Sequence, residues 1–257
     1  MPWRLLLRQQ RIGLIAMSYF GIVYALVNSA GFPYFAGRTA AAQAVFGSQM
    51  QSLAAQLAWL LPQPIAPGTV AGYVQWRVYG FLVIVFAAWA LLGGAGATRG
   101  DEERGLVEVW LAASVARARY LTFRFTTFAL ASATAVTLAG LAAWAGSLVD
   151  GAVLPPVGVL MTSVSLWALT LACYAISIAV AQLMTTFRGA AGLAGAVLLG
   201  LILLDSLRRS SPAPPAVTAV SVFSLNDRTT AIAPGGAVDG AAIAILFAVV
   251  VGALVTA

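Results

Sequence analysis

The charged residues of this chain are concentrated in one segment, residues 98–119, which lies between two long apolar runs. The segment reads TRGDEERGLVEVWLAASVARAR and holds four of the eight acidic residues and four of the fourteen arginines, although only 9% of the chain is charged. Side chains of this kind form ion pairs and hydrogen bonds with a partner, and they are costly in lipid. We therefore expect this segment to contact another molecule.

The order of residues in the segment predicts a short helix. Acidic residues open it and two arginines close it, an arrangement that complements the helix dipole. Thr98 and Asp101 have the spacing of an N-terminal capping box. One apolar face follows from the i, i+3, i+4 and i+7 spacing of Leu106, Val109, Trp110 and Ala113. Trp110 is of the type that dominates interfaces, but a solvated loop resting on the membrane fits the pattern equally well.

The composition of the chain is that of an integral membrane protein. It is 61% hydrophobic over 257 residues, with a mean hydropathy of +0.93, and several apolar runs approach the roughly 20 residues that cross a bilayer. The net charge of +6 comes from arginine alone, because the chain has no lysine. These arginines lie at the ends of apolar runs, which favours a lipid bilayer over nucleic acid as the partner.

Missing residue types exclude several kinds of site. Without histidine the chain has no His-based metal site or Ser-His-Asp triad. Without lysine it has no phosphate-binding loop of the Gly-Lys-Ser/Thr type, so we expect no bound cofactor. We expect Cys173 to be buried and inert. Only Asp205 and Arg124 offer charge near membrane depth, so an embedded enzyme is disfavoured and we predict that the chain is not an enzyme by itself.

Periodicity and hydropathy predict an all-α fold, a polytopic membrane protein with one transmembrane domain over residues 1–257. An amphipathic helix over 1–11 is expected in the membrane interface, with a basic flank as the alternative. Segments 32–70 and 208–237 are expected on the outer face, the first with an amphipathic helix over 39–61. The six predicted spans are 12–31, 71–96, 120–146, 157–185, 189–207 and 238–257.

The distribution of arginines predicts the orientation. With the N-terminus inside, nine arginines lie on the inner side and five on the outer side, as counted along the sequence. Because cytoplasmic loops carry the excess of positive charge, we expect a cytoplasmic N-terminus and a cytoplasmic segment 98–119. The expected location is the plasma membrane.

Two further features lie near the outer side and in the fifth span. Asp205 has the spacing to pair with Arg208 and Arg209 on one helix, and it could also pair with Arg77 across helices, the alternative being that Arg77 and Asp205 simply reach the membrane surface. The small residues Gly192, Ala196 and Gly200 form a small-xxx-small ladder. This ladder predicts close helix packing, either within the chain or against a second copy.

Segment 98–119 resembles the first cytoplasmic loop of type-2 ABC exporter permeases, which reads approximately R-x-E-E-x-G-T-L-E-L-L-L-A-x-P-V-S-R. The matching residues keep register over fifteen positions; they are Glu103, Gly105, Glu108, Leu111, Ala112, Val115 and Arg117. The sequence departs from the pattern at Val107, Trp110, Ser114 and Ala116. The N-terminal basic segment, six spans and a broken outer segment before the last span also resemble this family.

The resemblance implies that transport and ATP hydrolysis are carried out by different subunits. Two permease units would pair, either as identical chains or as halves of a twelve-span permease, above two cytoplasmic ATPase subunits that bind ATP and Mg. The segment would form a coupling helix that contacts the ATPase. The implied contact residues are Glu102, Glu103, Gly105, Leu106, Glu108, Trp110, Leu111 and Arg117.

The function implied is export of a hydrophobic or amphiphilic compound, such as a drug, an antibiotic or a lipid-like molecule. The alternative is a membrane anchor or accessory subunit that transports nothing. The sixth span ends without the basic tail usual in this family. Either this tail is absent here, or the chain is one half of a longer twelve-span permease.

Overall fold

A computed structural model describes residues 3–57, 62–112, 115–210 and 221–257. The described residues form helices and connecting turns, in agreement with the predicted all-α fold. We number the helices in chain order. They are α1 Trp3–Ala30, α2 Phe32–Ala36, α3 Ala40–Gln56, α4 Val70–Glu103, α5 Leu106–Ala112, α6 Arg117–Ser147, α7 Pro156–Ala181, α8 Phe187–Ser210, α9 Val222–Asp227 and α10 Gly240–Val255.

Five of these helices, α1, α4, α6, α7 and α8, are long and apolar enough to cross a membrane. They coincide with the first five predicted spans. The sixth predicted span is an apolar helix of 16 residues, α10, which is about 24 Å long at 1.5 Å per residue. Because the hydrocarbon core of a bilayer is about 30 Å thick, the count of six spans stays a prediction.

The first helix is continuous from Trp3 to Ala30. The predicted interfacial helix over 1–11 is therefore not a separate element, since its residues from Trp3 onward join the first span without a break. The side chains of Arg4 and Arg8, on which that prediction rests, lie outside the described residues.

The helix α4 is continuous over 34 residues and contains two π-helical turns, Val74–Tyr79 and Gly96–Gly100. A π turn accommodates one residue more than an α-helical turn and is common at functional sites. The two turns lie near opposite ends of α4, beside the two clusters of charged residues described below.

The core is built around α7, which packs against α4, α6, α8 and α10. The rings of Tyr174 and Phe128 stack with their centroids 3.9 Å apart, and Cys173 is buried beside them, as expected. At Gly94 a side chain would meet the Tyr174 carbonyl oxygen at 2.7 Å. The hydroxyl of Ser177 donates a hydrogen bond of 2.7 Å to the Leu91 carbonyl. Close helix contact through small residues is thus found between α4 and α7.

The helix predicted over 39–61 is present as α3, which ends at Gln56. Thr39 caps it by accepting from the Ala42 amide at 3.2 Å. Phe46 packs against the rings of Phe32 and Tyr73, so this face of α3 rests on the bundle. Residues 58–61 of the prediction lie outside the described residues.

The charged residues gather at two opposite ends of the bundle. We call the first the Asp101 end; it comprises the C-terminal part of α4, α5, the first turns of α6, the C-terminus of α7 and the N-terminus of α8. We call the second the Asp205 end; it comprises the N-terminal part of α4, the C-terminal turns of α8, and α9. The contacts at each end follow.

Candidate functional site

The segment 98–119 is divided among three helices instead of forming one. Helix α4 continues to Glu103, a turn at Gly105 with a φ of +68° follows, and α5 occupies Leu106–Ala112. The predicted capping box is wrong, because Thr98 lies inside α4 and its hydroxyl donates to the Gly94 carbonyl at 3.1 Å. The prediction of a short helix in this segment is correct, but the helix α5 is only seven residues long.

Asp101 is the centre of a buried ionic cluster. Its side chain is fully buried, and Oδ2 lies 2.6 Å from an Nη of Arg124, itself 5% exposed. Its Oδ1 lies 2.6 Å from an Nη of Arg104, and the Tyr120 hydroxyl donates to Oδ2. The cluster joins α4 to α6 across the turn and α5.

This cluster is stable in the interior because the carboxylate is compensated by charge and by hydrogen bonds at once. A buried carboxylate costs several kcal/mol in desolvation, which is recovered only when geometry and hydrogen bonding are good. Two guanidinium groups and a phenol meet that condition around Asp101. The Tyr174 hydroxyl also donates to the backbone carbonyl of Arg124 at 3.4 Å, so the cluster rests on α7.

Arg99 and Glu102 connect the same end to α7. The guanidinium of Arg99 donates to the carbonyls of Ala181 and Gln182, each at 3.1 Å, and pairs with Glu102. These carbonyls belong to the last turn of α7, where the negative end of the helix dipole favours a cation. Arg117 lies 3.5 Å from the other oxygen of Glu102. Glu102 therefore makes contacts within the chain.

Glu103 contacts the N-terminus of α8. Its Oε1 accepts a hydrogen bond of 2.7 Å from the backbone amide of Phe187. The first amides of a helix lack partners within the helix, and a carboxylate there satisfies one of them and complements the dipole. Glu103 thus makes a contact within the chain, while the role that the resemblance implies for it, contact with an ATPase, stays a prediction.

The buried face of α5 consists of different residues from those predicted, apart from Trp110. Trp110 is 8% exposed and packs with Val107 and Tyr120, the rings of Trp110 and Tyr120 being 5.7 Å apart. Trp110 is therefore packed inside the chain, against the start of α6. Leu106 is half-buried. Ala113, the last residue of the predicted face, lies outside the described residues.

The exposed face of α5 combines apolar residues with one acid. Val109 is 68% exposed and Leu111 is 44% exposed, and Glu108 and Ala112 are exposed beside them. Arg117, at the start of α6, is also exposed. Of the predicted contact residues, Glu103, Glu108, Leu111 and Arg117 thus lie on the surface.

At the Asp205 end, the predicted pairing within α8 is confirmed. Asp205 lies 3.0 Å from an Nη of Arg208 and also pairs with Arg209. Both arginines reach Oδ2 of Asp227 in α9, at 3.2 and 2.5 Å. The network connects the C-terminal turns of α8 to α9.

The predicted pair of Arg77 with Asp205 is not formed among the described residues. Arg77 is exposed on another side of α4. Its guanidinium group there interacts electrostatically with the hydroxyl groups of Tyr24 and Tyr73. The Tyr24 hydroxyl donates to the Arg77 carbonyl at 3.3 Å. Asp205 is instead compensated by the arginines of its own helix.

The Asp205 network borders a cavity of about 260 Å³. Burial raises the pKa of the Asp227 carboxyl to about 6, although Arg209 acts in the opposite direction. The cavity walls come from the start of α4, the middle of α7, the end of α8, α9 and the loop that follows α3. Its lining includes Gln75, Trp76, Tyr79, Val83, Thr162, Leu166, Ile202, Asp205, Arg209, Phe223, Asn226, Asp227 and Thr229.

The ladder on α8 does not pack against the described part of the chain. A Cβ added at Gly192 or Gly200 would meet no atom within 4 Å, and Ala196 is exposed. The alternative of packing within the chain is therefore wrong for the described residues. The ladder faces outward, toward lipid or another protein.

Several residues of the Asp101 cluster were not singled out as site residues in the sequence. The usable signal was Arg124, a cation inside an apolar run, because such a residue requires a partner. Its partner, Asp101, is 23 positions away in sequence and belongs to another helix. Helical periodicity predicts only contacts within one helix, so it does not identify this pair. The cavity at the Asp205 end left no signal, since its walls come from five separate segments.

Comparison of the sequence with models of known protein families and with curated proteins finds no match to either.

Proposed function

We propose that this chain is the transmembrane subunit of an ATP-driven exporter of the type-2 ABC class, located in the plasma membrane with its N-terminus in the cytoplasm. A separate ATPase would bind ATP and Mg and would drive export of a hydrophobic or amphiphilic compound. The absence of lysine from the sequence supports the assignment of ATP hydrolysis to another subunit. The resemblance of segment 98–119 supports the class.

The observation that carries the proposal is a short helix with one anchored face and one free face. Trp110 and Val107 fasten α5 to α6, while Val109 and Leu111 remain exposed on the other side. Exposed apolar residues beside charged ones are typical of a surface that binds a protein partner. We propose that Glu108, Val109, Leu111 and Arg117 form the contact with the ATPase.

The connections of α5 suit the transmission of motion to the spans. A displacement of α5 acts through the turn at Gly105 on the C-terminal end of α4, and this end is joined to α6 through Asp101 and Arg124. The same end of α4 is joined to α7 through Arg99 and to α8 through Glu103. A closely packed joint that is held by ion pairs moves as a unit. Three spans would therefore respond together.

We further propose that two copies, or two related halves, pair in the membrane along α8. The outward-facing ladder at Gly192, Ala196 and Gly200 supports this arrangement, because small residues allow two backbones to approach closely.

The test is site-specific cross-linking from the exposed face of α5. A photo-reactive amino acid at Val109 is expected to capture a protein that binds and hydrolyses ATP. The matched control is Val157, which is also a valine and also 68% exposed, but lies at the Asp205 end. We expect no ATPase to be captured there.

A second variant links the contact to activity. Leu111→Asp places a charge in the proposed interface and should abolish ATPase stimulation by the chain while the protein still inserts and folds. Failure of Val109 to capture an ATP-hydrolysing protein, or equal capture from Val157, would reject the proposal.

A further inference from the structure

The cavity at the Asp205 end is large enough for a small organic molecule. Its volume is about 260 Å³, whereas a cavity of about 150 Å³ lined by apolar side chains already holds a benzene ring. The cavity is close to the surface at the loop after α3, since Gln63 and Ile65 line it and are also exposed. A molecule made of one aromatic ring and a short substituent therefore has both room and access.

The charged groups at the cavity compensate one another. The lining holds Asp205, Asp227 and Arg209, and Arg208 pairs with both aspartates from outside the lining. Arg209 also pairs with both aspartates, so each carboxylate contacts two guanidinium groups. A charge added by a ligand would lack a partner and would lose several kcal/mol of hydration on burial. The network therefore favours a ligand without net charge.

Several polar side chains of the wall are already bonded within the protein. The Trp76 indole N–H donates to the Pro62 carbonyl at 2.8 Å, and the Tyr79 hydroxyl is 2.8 Å from that of Ser163. The lining also includes aliphatic and aromatic side chains, namely Val83, Ile84, Leu166, Ile202 and Phe223. Because a buried water molecule needs two to four polar partners, this part of the wall favours the apolar atoms of a ligand.

Asn226 supplies a hydrogen-bond donor that the described residues leave unused. It lines the cavity, and its Oδ1 accepts a hydrogen bond of 3.0 Å from the Ser165 hydroxyl. The described residues provide no acceptor for its Nδ2. No buried side-chain atom of Asn226 lacks a partner, so Nδ2 is accessible. A ligand in the cavity that carries an acceptor would complete the hydrogen bonding of this amide.

We propose that this cavity binds a small neutral molecule with an apolar body and one hydrogen-bond acceptor, the body lying against Val83 and Phe223 and the acceptor receiving a hydrogen bond from Asn226. Burial of the body supplies most of the binding free energy, and the hydrogen bond fixes the orientation. Binding here involves this chain alone and does not depend on the ATPase proposed above.

The test is photolabelling of the full purified chain in lipid nanodiscs. The probe is a benzyl alcohol that carries a trifluoromethyl diazirine on its ring, and mass spectrometry identifies the labelled residues. We expect labelled residues in the cavity lining, and excess 2-phenylethanol should suppress this labelling. Labelling of exposed residues such as Val251 should persist, because it reports partition into lipid. Labelling confined to residues outside the lining, or labelling of the lining that 2-phenylethanol does not suppress, would overturn the proposal.

Competitors that differ in their polar group test the preference for a neutral ligand. At neutral pH, 2-phenylethanol is uncharged, 2-phenylethylamine is a cation and phenylacetate is an anion. We expect the alcohol to suppress labelling of the lining at concentrations at least about tenfold lower than either ion requires, because neither ion finds an uncompensated partner. Equal competition by the alcohol and either ion would contradict the proposal.

The hydrogen bond is tested with ethylbenzene, which has the same ring but no acceptor. Asn226→Leu keeps the size of the side chain and removes the donor, so it should weaken competition by 2-phenylethanol several-fold relative to ethylbenzene. The matched control is Ser165→Ala, which removes the bond between these two side chains but keeps the Asn226 amide; it should affect both competitors equally. Equal effects of Asn226→Leu on both competitors would reject the proposed hydrogen bond.

A cavity-filling variant locates the site. Val83→Phe places a ring in the cavity and should abolish labelling of the lining. The matched control is Val251→Phe, since Val251 is exposed on α10 outside the cavity lining; the lining should be labelled normally. Labelling retained in folded Val83→Phe would show that the ligand lies elsewhere. If Val83→Phe does not fold, the mapping and competition on the unmodified chain decide the matter.

Discussion

The two ends of the bundle place the same pair of residue types, aspartate and arginine, in different surroundings. At the Asp101 end, the carboxylate is fully buried, and the space beside the cluster is only about 10 Å³, barely enough for one water molecule. At the Asp205 end, a network of two aspartates and two arginines borders a cavity of about 260 Å³. An Asp–Arg cluster surrounded by packed side chains is a rigid joint, and one that faces open space is suited to a ligand.

The difference follows from the elements that meet at each end. At the Asp101 end, α4, α6 and α7 approach through small residues and aromatic rings, and Trp110 covers the outside. At the Asp205 end, the walls include α9 and the proline-containing loop after α3. Such irregular segments do not interdigitate with helices as closely as helices do with each other.

The largest expected effect is a difference in stability between variants of the two carboxylates, Asp101 and Asp227. Asp101→Asn should lower the free energy of unfolding by about 3–5 kcal/mol, because it leaves buried Arg124 without its charge partner. Asp227→Asn should cost less, about 1–2 kcal/mol, because both of its arginines keep Asp205 as a partner. Denaturant unfolding in detergent micelles measures both. Equal losses would mean that the two clusters are equally structural.

A second comparison adds volume at each end. Ala97→Leu should cost about 1–3 kcal/mol, because Ala97 is fully buried beside the 10 Å³ space and the larger side chain has no room. Val83→Leu projects one more carbon toward the 260 Å³ cavity and should change stability by no more than about 0.5 kcal/mol. Thermal unfolding of the two variants provides the measurement. A larger loss from Val83→Leu would contradict the contrast in packing.

The smallest expected effect concerns the contact between the Asp101 end and α8. Glu103→Ala should destabilise the protein by about 1 kcal/mol, because it removes the acceptor of the Phe187 amide. Glu103→Gln should restore most of this loss. Glu108→Ala, an exposed glutamate on α5, is the control and should stay within about 0.5 kcal/mol of the parent. If the two alanine variants were equally stable, Glu103 would not be a structural contact.

What the sequence predicts correctly is local. Apolar length and composition locate the five long helices, and i, i+3 and i+4 spacing predicts the pairing of Asp205 with Arg208 and Arg209, because one helix fixes both partners. The pairing of Asp101 with Arg124 escapes this reasoning, because it depends on how α4 and α6 cross. The apolar face of α5 is predicted from Leu106, Val109, Trp110 and Ala113. Trp110 is indeed buried, but contact with Tyr120 makes Val107 its buried neighbour and leaves Val109 exposed.

The π turns of α4 bear on how this chain tolerates changes in length. A π turn holds one extra residue, so deletion of one residue within Gly96–Gly100 returns that turn to α-helical geometry and leaves Asp101 on the same side of α4. Deletion of one residue within Gly80–Ala95 instead rotates everything beyond it by about 100° and turns Asp101 away from Arg124. The same distinction holds at Val74–Tyr79 for the residues that line the cavity. Helix α4 thus has two defined places where deletion of a single residue preserves both charged ends.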